Sequence, residues 1–206
     1  MKYIPSILLF FFLLSFSSCS TKTVESELPE PNPPTPVIPE EPTPEKEKML
    51  WFDAEANFER FSKKENITYY LDLAKSTGFN KIVVDVRPVQ GDALFKSSYL
   101  TPLTDLADTH IERDWDYLQF FIDEAHKREL KVTVSATIFT AGLPSSKNGM
   151  AYRDDTWDGK TCLEYTKDQG LIDIKDDKTK VSAFLNPVLP EVQDFCLNFI
   201  KELVTN

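Results

Sequence analysis

The chain has 206 residues, of which 23 are Lys or Arg and 33 are Asp or Glu, giving a formal charge of −10; 41% are apolar and 12% aromatic. That composition supports a folded core and excludes a wholly disordered chain, and an acidic field with no offsetting basic cluster argues against a nucleic-acid partner. The two His form no HxxxH pair, the three Cys no CxxC and the six Gly no glycine-rich loop, so the expectation is no metal centre, no phosphate cradle and no cofactor.

In chain order, Lys2, the apolar run of residues 7–16 (ILLFFFLLSF) and the small Ser17 and Ser18 have the layout of a secretory signal over residues 1–18. The run is too short to span a bilayer comfortably. Cys19 follows at once, and FSSC resembles the lipobox of bacterial lipoproteins, although Phe16 stands where Leu is usual. The resemblance implies lipidation of Cys19, a membrane partner through that anchor, and a place in the bacterial cell envelope as an outer-membrane lipoprotein. An ordinary signal with an incidental Cys is the alternative. Residues 20–48 carry eight of the fourteen Pro and seven Glu. Such a stretch favours extended polyproline II and repels itself, so residues 19–48 read as a semi-rigid tether. Residues 49–206 remain for one core.

Within that domain, residues 49–53 (MLWFD), 81–86 (KIVVDV) and 130–137 (LKVTVSAT) read as strands. Asn66 is placed to cap a helix that Gly78 ends. Asp114 is placed to cap a second helix, with Trp115, Leu118, Ile122 and Ala125 at helical spacing. The order β, α, β, α, β with near-continuous apolar strands predicts a parallel sheet. A long excursion follows the third strand, with a small hairpin predicted between residues 162–165 and 171–174. A last helix opens at Pro190, with the apolar stripe Val192, Phe195, Cys196, Phe199, Ile200 and Leu203. The fold class expected is α/β: an incomplete (β/α)₈ TIM barrel comprising its first three βα units, with a long insertion after strand three. A small doubly wound sheet is the alternative.

In either architecture ligands sit at the carboxyl ends of the strands. That rule selects Asp53 and Glu55 after the first strand, Asp85, Arg87 and Asp92 on and after the second, and the region of Thr137 and Thr140 after the third. Asp85 and Arg87 are two apart on an extended chain, so they should share one face. There they would fix sugar hydroxyls or a carboxylated substituent, or close the barrel top as a structural ion pair. Trp157, Tyr152 and Tyr165 are candidate sugar platforms or plain loop packing. His126 reads as solvated, Cys196 as core, and a Cys162–Cys196 disulfide stays open.

Three ordered blocks, GFNKIVVDVRPVQGDALFKSSYLTP (residues 78–102), RDWDYLQFFIDEAHKRELKV (113–132) and FLNPVLPEVQDF (184–195), resemble the glycoside-hydrolase-like family ten, bacterial envelope proteins with a TIM-barrel domain. The WFDAEANF run (51–58) is similar to the first strand of relatives often labelled alpha-amylase family. The resemblance implies an envelope-anchored glycosidase hydrolysing O-glycosyl bonds of a polysaccharide or a peptidoglycan glycan. The alternative is a non-catalytic glycan-binding lipoprotein on the same barrel. It implies a carbohydrate substrate, with binding roles for Asp53, Glu55, Asp85, Arg87, Asp92 and Asn186. The catalytic carboxylates are left unassigned and expected beyond Asn206, so the segment alone is expected to be inactive. One departure is Glu129, where the family usually has Gly.

Overall fold

The computed structural model describes residues 46–205. The expectations for the signal segment, for Cys19 and for all but the end of the Pro/Glu tether lie outside the described residues. The predicted alternation is what forms. Strand β1 (Met49–Phe52) leads to helix α1 (Lys64–Ser76), β2 (Lys81–Arg87) is followed by the two-residue strands β3 (Asp105–Leu106) and β4 (Thr109–His110), and helix α2 (Tyr117–Lys127) precedes β5 (Lys131–Ala136). Strands β1, β2 and β5 make a parallel sheet in that order, with Phe52 beside Val84 and Val84 beside Val134. The fold is therefore mixed α/β with a parallel sheet.

Both crossovers step the same way across the sheet, so both helices lie on one face. Phe52, Ile82, Val84 and Val86 on that face pack with Ile67, Leu71, Leu118, Phe121 and Ala125 into one core. On the other face Met49 is 53% and Trp51 59% exposed at the edge strand, while Val83 beside Trp51 is buried.

The helix ends differ in detail from expectation. Helix α1 starts after Lys63, and the Asn66 side chain, inside its first turn, donates back to the Arg60 carbonyl at 2.8 Å. Gly78 does end the helix, at φ +85, with the Phe79 N–H on the Ala74 carbonyl at 3.0 Å. Helix α2 is capped by Asp116 rather than Asp114. Asp116 has the extended backbone of a cap, and its carboxylate accepts the Gln119 N–H at 3.0 Å. Trp115 thereby falls outside the helix and packs on Tyr117 and Phe120. Glu129 stands at φ +55, the backbone shape that suits glycine.

The excursion after β5 forms β6 (Thr140–Gly142), the hairpin β7 (Leu163–Thr166) and β8 (Gly170–Asp173), and β9 (Ala183–Phe184), which pairs with β6. The predicted hairpin is therefore present, with Gly170 at φ +74 in its turn. Helix α3 (Pro190–Thr205) begins at the predicted proline and buries Val192, Cys196 and Phe199. Cys162 and Cys196 are free thiols, resting on the carbonyls of Leu185 and Ile138, so the disulfide left open above is not formed.

Candidate functional site

Because Phe52 pairs with Val84 and Asp85 with Ser135, the register carries Asp53 alongside Asp85 at the carboxyl ends of β1 and β2. Asp53 closes a turn through its side chain, accepting the Ala56 N–H at 2.8 Å. Glu55, two residues on, accepts the Val89 N–H at 2.9 Å and so ties the loop after β1 to the loop after β2. These contacts hold three carboxylates together. Asp85 is the half-buried member, and its carboxyl is pushed up to about 6. Burial is the main cause, the Asp53 and Glu55 charges add to it, and the backbone N–H groups of Ala54 and Arg87 oppose it.

That shift has a stability consequence. A carboxyl raised in the folded state favours folding most below the unfolded value near 3.8, and loses that contribution as the pH climbs through about 6. Asp85→Asn is expected to flatten this slope and, after allowance for solvent screening, to stabilise the domain at pH 7.5 by about 1–2 kcal/mol. Urea titrations of both proteins at pH 4 and pH 7.5 measure it. Identical pH slopes would mean that Asp85 is not under this burden.

The other selected residues lie elsewhere. Arg87 does not pair with Asp85, and the ladder with β5 slips between the two. Its side chain is fully buried instead. Nη1 donates to the carbonyls of Thr137 and Ile138 and Nη2 to the Thr140 carbonyl, and the guanidinium lies 5.0 Å from the Phe199 ring centroid. Burial pulls its pKa down to about 10. The Asp85–Arg87 ion pair does not form.

Asp92, 2% exposed, accepts from Gln90 Nε2 at 3.0 Å and from both terminal nitrogens of Arg153, with Nη1 at 2.8 Å. This fork pins the loop after β2 to the excursion. Asn186 shapes the turn into α3: its Oδ1 accepts the Val188 N–H at 3.2 Å and its own N–H donates to the Lys160 carbonyl at 2.8 Å. The structure thus brings Asp53, Glu55 and Asp85 together and engages Arg87, Asp92 and Asn186 in holding loops around them.

Of the aromatic candidates, Trp157 packs edge-on against Phe195 at 4.7 Å and the Tyr152 hydroxyl donates to the Lys175 carbonyl at 2.7 Å; Tyr165, on the hairpin, is 77% exposed. Among the described residues no group of three or more His, Cys, Asp or Glu is arranged to hold a metal ion.

Sequence reasoning passed over Tyr117 and Arg113. Tyr117 is buried, its hydroxyl has no partner, and its pKa is pushed up by burial and then by the Asp85 and Asp53 charges, while Arg113 opposes. The Arg113 guanidinium sits over the Phe58 and Tyr117 rings at 4.9 and 5.7 Å. Both residues stood in the RDWDY block. Tyr117 nevertheless looks like any other apolar-stripe residue, and nothing in the spacing says that Arg113 turns inward.

The carboxylate row lies at the carboxyl ends of parallel strands, where open α/β sheets and barrels bind their ligands. Comparison with known proteins makes this specific. The profile of the family Glycosyl hydrolase-like 10 matches residues 47–206, and the chain belongs to that family. It is 31% identical over 169 residues to an S-layer-related protein of Niallia circulans, covering 78% of this chain and 10% of that protein. It is 29% identical over 137 residues to the glycosyl hydrolase DigH of Escherichia coli K12, covering 66% of this chain and 30% of that one. The chain therefore spans a tenth to under a third of the length of these relatives. A crystal structure of a hypothetical protein from Ruminiclostridium thermocellum superposes with a TM-score of 0.46 at 16% identity, over 76% of this chain and 69% of that one.

Proposed function

We propose that residues 49–206 are the first part of a (β/α)₈ glycoside-hydrolase barrel whose saccharide lies across the carboxyl ends of β1 and β2. Asp53, Glu55 and Asp85 would touch it, while Arg87, Asp92 and Asn186 hold the loops that shape the cleft. The observation that carries this reading is the Asp85 carboxyl pushed up to about 6 beside two further carboxylates. Such a group switches between donor and acceptor near neutral pH, as sugar hydroxyls and glycosidic oxygens require. Family membership and the name of the E. coli relative support glycan hydrolysis as the reaction. The acid and nucleophile that cleave the bond, two carboxylates about 5 to 9 Å apart, would come from barrel strands other than β1, β2 and β5.

The test is release of reducing ends from a glycan by the protein carrying this domain, with saccharide binding measured separately. Asp85→Asn is expected to lower kcat/KM at least about tenfold while the fold is kept. Binding without any turnover would favour the second reading, a non-catalytic glycan-binding lipoprotein on the same barrel.

Residues 1–18 as a signal, lipidation of Cys19 and the tether of residues 19–48 would hold this domain at an envelope membrane, with the outer membrane as the proposed site. Cys19→Ala is expected to move the protein from the membrane to the soluble fraction, read by fractionation and by the mass of the mature chain. An unchanged membrane fraction, or a mature mass without acyl groups, would defeat the anchoring proposal.

A further inference from the structure

The terminal nitrogens of four of the five arginines are engaged at short range, although Arg87 Nε is buried without a partner. Arg87 is surrounded by carbonyls, Arg128 binds Asp72 and Glu124, Arg153 binds Asp92, and the exposed Arg60 binds Asn57. Arg113 is the one whose terminal nitrogens make only long contacts. It is half-buried and forms no ion pair among the described residues, and its two hydrogen bonds, to the carbonyls of Leu103 and Phe58, are long at 3.3 and 3.5 Å. Its Nε is buried with no partner at all, and burial lowers its pKa. A guanidinium removed from water without an anion is costly, and a bound anion would remove that cost.

Arg113 also lines a cavity of about 300 Å³, together with Phe95, Lys96, Leu103, Ile111 and Trp115. That is the lower end of the size range of small-molecule sites. The two carboxylates on the cavity wall are already engaged. Asp116 caps α2, and Glu112, largely in solvent, lies 3.7 Å from His110. Two cations, neither in an ion pair among the described residues, therefore line a partly apolar space in a chain whose net charge is −10. The cavity adjoins the carboxylate row through Arg113, which stacks on Phe58 from the loop after β1 and on Tyr117, whose unpartnered hydroxyl feels Asp53 and Asp85.

We propose that this cavity is a subsite for a carboxylate-bearing sugar, with Arg113 forking the carboxylate, Lys96 at the rim and the apolar wall against the face of the ring. The inference rests on the saccharide reading above and adds a substrate class to it.

The test uses the full chain and matched ligands: a uronate tetrasaccharide and its methyl ester, then N-acetylmuramate and its amide. The two pairs separate a ring carboxylate from an ether-linked one, and calorimetry at low salt reads the affinity. In at least one pair the acid is expected to bind about tenfold more tightly than its neutral form, since a forked charged contact replaces a neutral one. Arg113→Gln should erase the difference. Because that residue also braces Phe58 and Tyr117, Lys96→Glu provides a surface variant that should shrink the preference without touching the core. Equal binding of acid and neutral form in both pairs, no binding at all, or a preference that survives both variants would overturn the subsite. A neutral N-acetylglucosamine tetramer tests the carboxylate row separately. If it binds and is weakened by Asp85→Asn while the acids show no preference, only the subsite fails. An acid preference in a protein that ignores the neutral tetramer would instead count against the row.

Discussion

Replacing Arg87 with alanine is expected to cost the domain about 3–5 kcal/mol of unfolding free energy, the largest effect of any single change at these loops. The side chain fills a fully buried position between β2 and α3, and its terminal nitrogens satisfy carbonyls of residues 137, 138 and 140, where the chain leaves β5. Truncation leaves those carbonyls unpaired, opens a cavity and removes the cation over Phe199. Arg87→Lys should recover only part of the loss, because one ammonium cannot reach the several acceptors that a planar fork spans. Chemical denaturation of both variants measures this. A loss below about 1 kcal/mol for Arg87→Ala would show that the side chain is free to leave its pocket, and would reopen a direct role with ligand.

Gly91→Ala is the second change expected to be severe, at about 2–4 kcal/mol. Gly91 has φ +88, and a methyl group built there would stand 2.7 Å from the Thr140 carbonyl oxygen and 3.1 Å from the Ala141 Cα. The strained backbone accounts for about 1 kcal/mol, and backbone atoms that cannot move aside account for the rest. Gly159→Ala is the control: φ is +71 there and nothing lies within 4 Å of the added methyl, so strain alone operates and about 1 kcal/mol is expected. Beyond stability, Gly91→Ala should loosen the Asp92–Arg153 fork next door, visible as faster proteolysis between residues 88 and 104. Equal costs at Gly91 and Gly159 would mean that the excursion is not seated on the loop after β2.

These two residues show where reading from sequence stops. Period and composition suffice for the strands, because a β-branched run such as KIVVDV fits few environments other than a buried parallel strand. They suffice also for α3, where Pro190 and the Val192, Cys196 and Phe199 stripe meet their expected roles. The rule that ligands gather at strand carboxyl ends picks out Asp53, Glu55 and Asp85, which are neighbours in the structure, since parallel register aligns the ends of adjacent strands.

What only the tertiary structure decided depends on single-residue displacements and on contacts far apart in the chain. Arg87 was expected to stand with Asp85, and instead the ladder slips by one residue between them and the guanidinium is buried among the carbonyls that follow β5. No feature of VDVRP encodes that slip, which comes from fitting β2 to β5 some fifty residues later. Gly91 looked like one isolated glycine among six, and its constraint is the Thr140 backbone. Arg113 drew no reading from sequence, and it is a half-buried guanidinium over the rings of Phe58, from the loop after β1, and Tyr117. Local periodicity determines which residues are helix, strand and core, because those preferences act within a turn or a pleat. The partners of a buried charge are set by chain segments that local rules do not relate, and only the assembled fold brings them together.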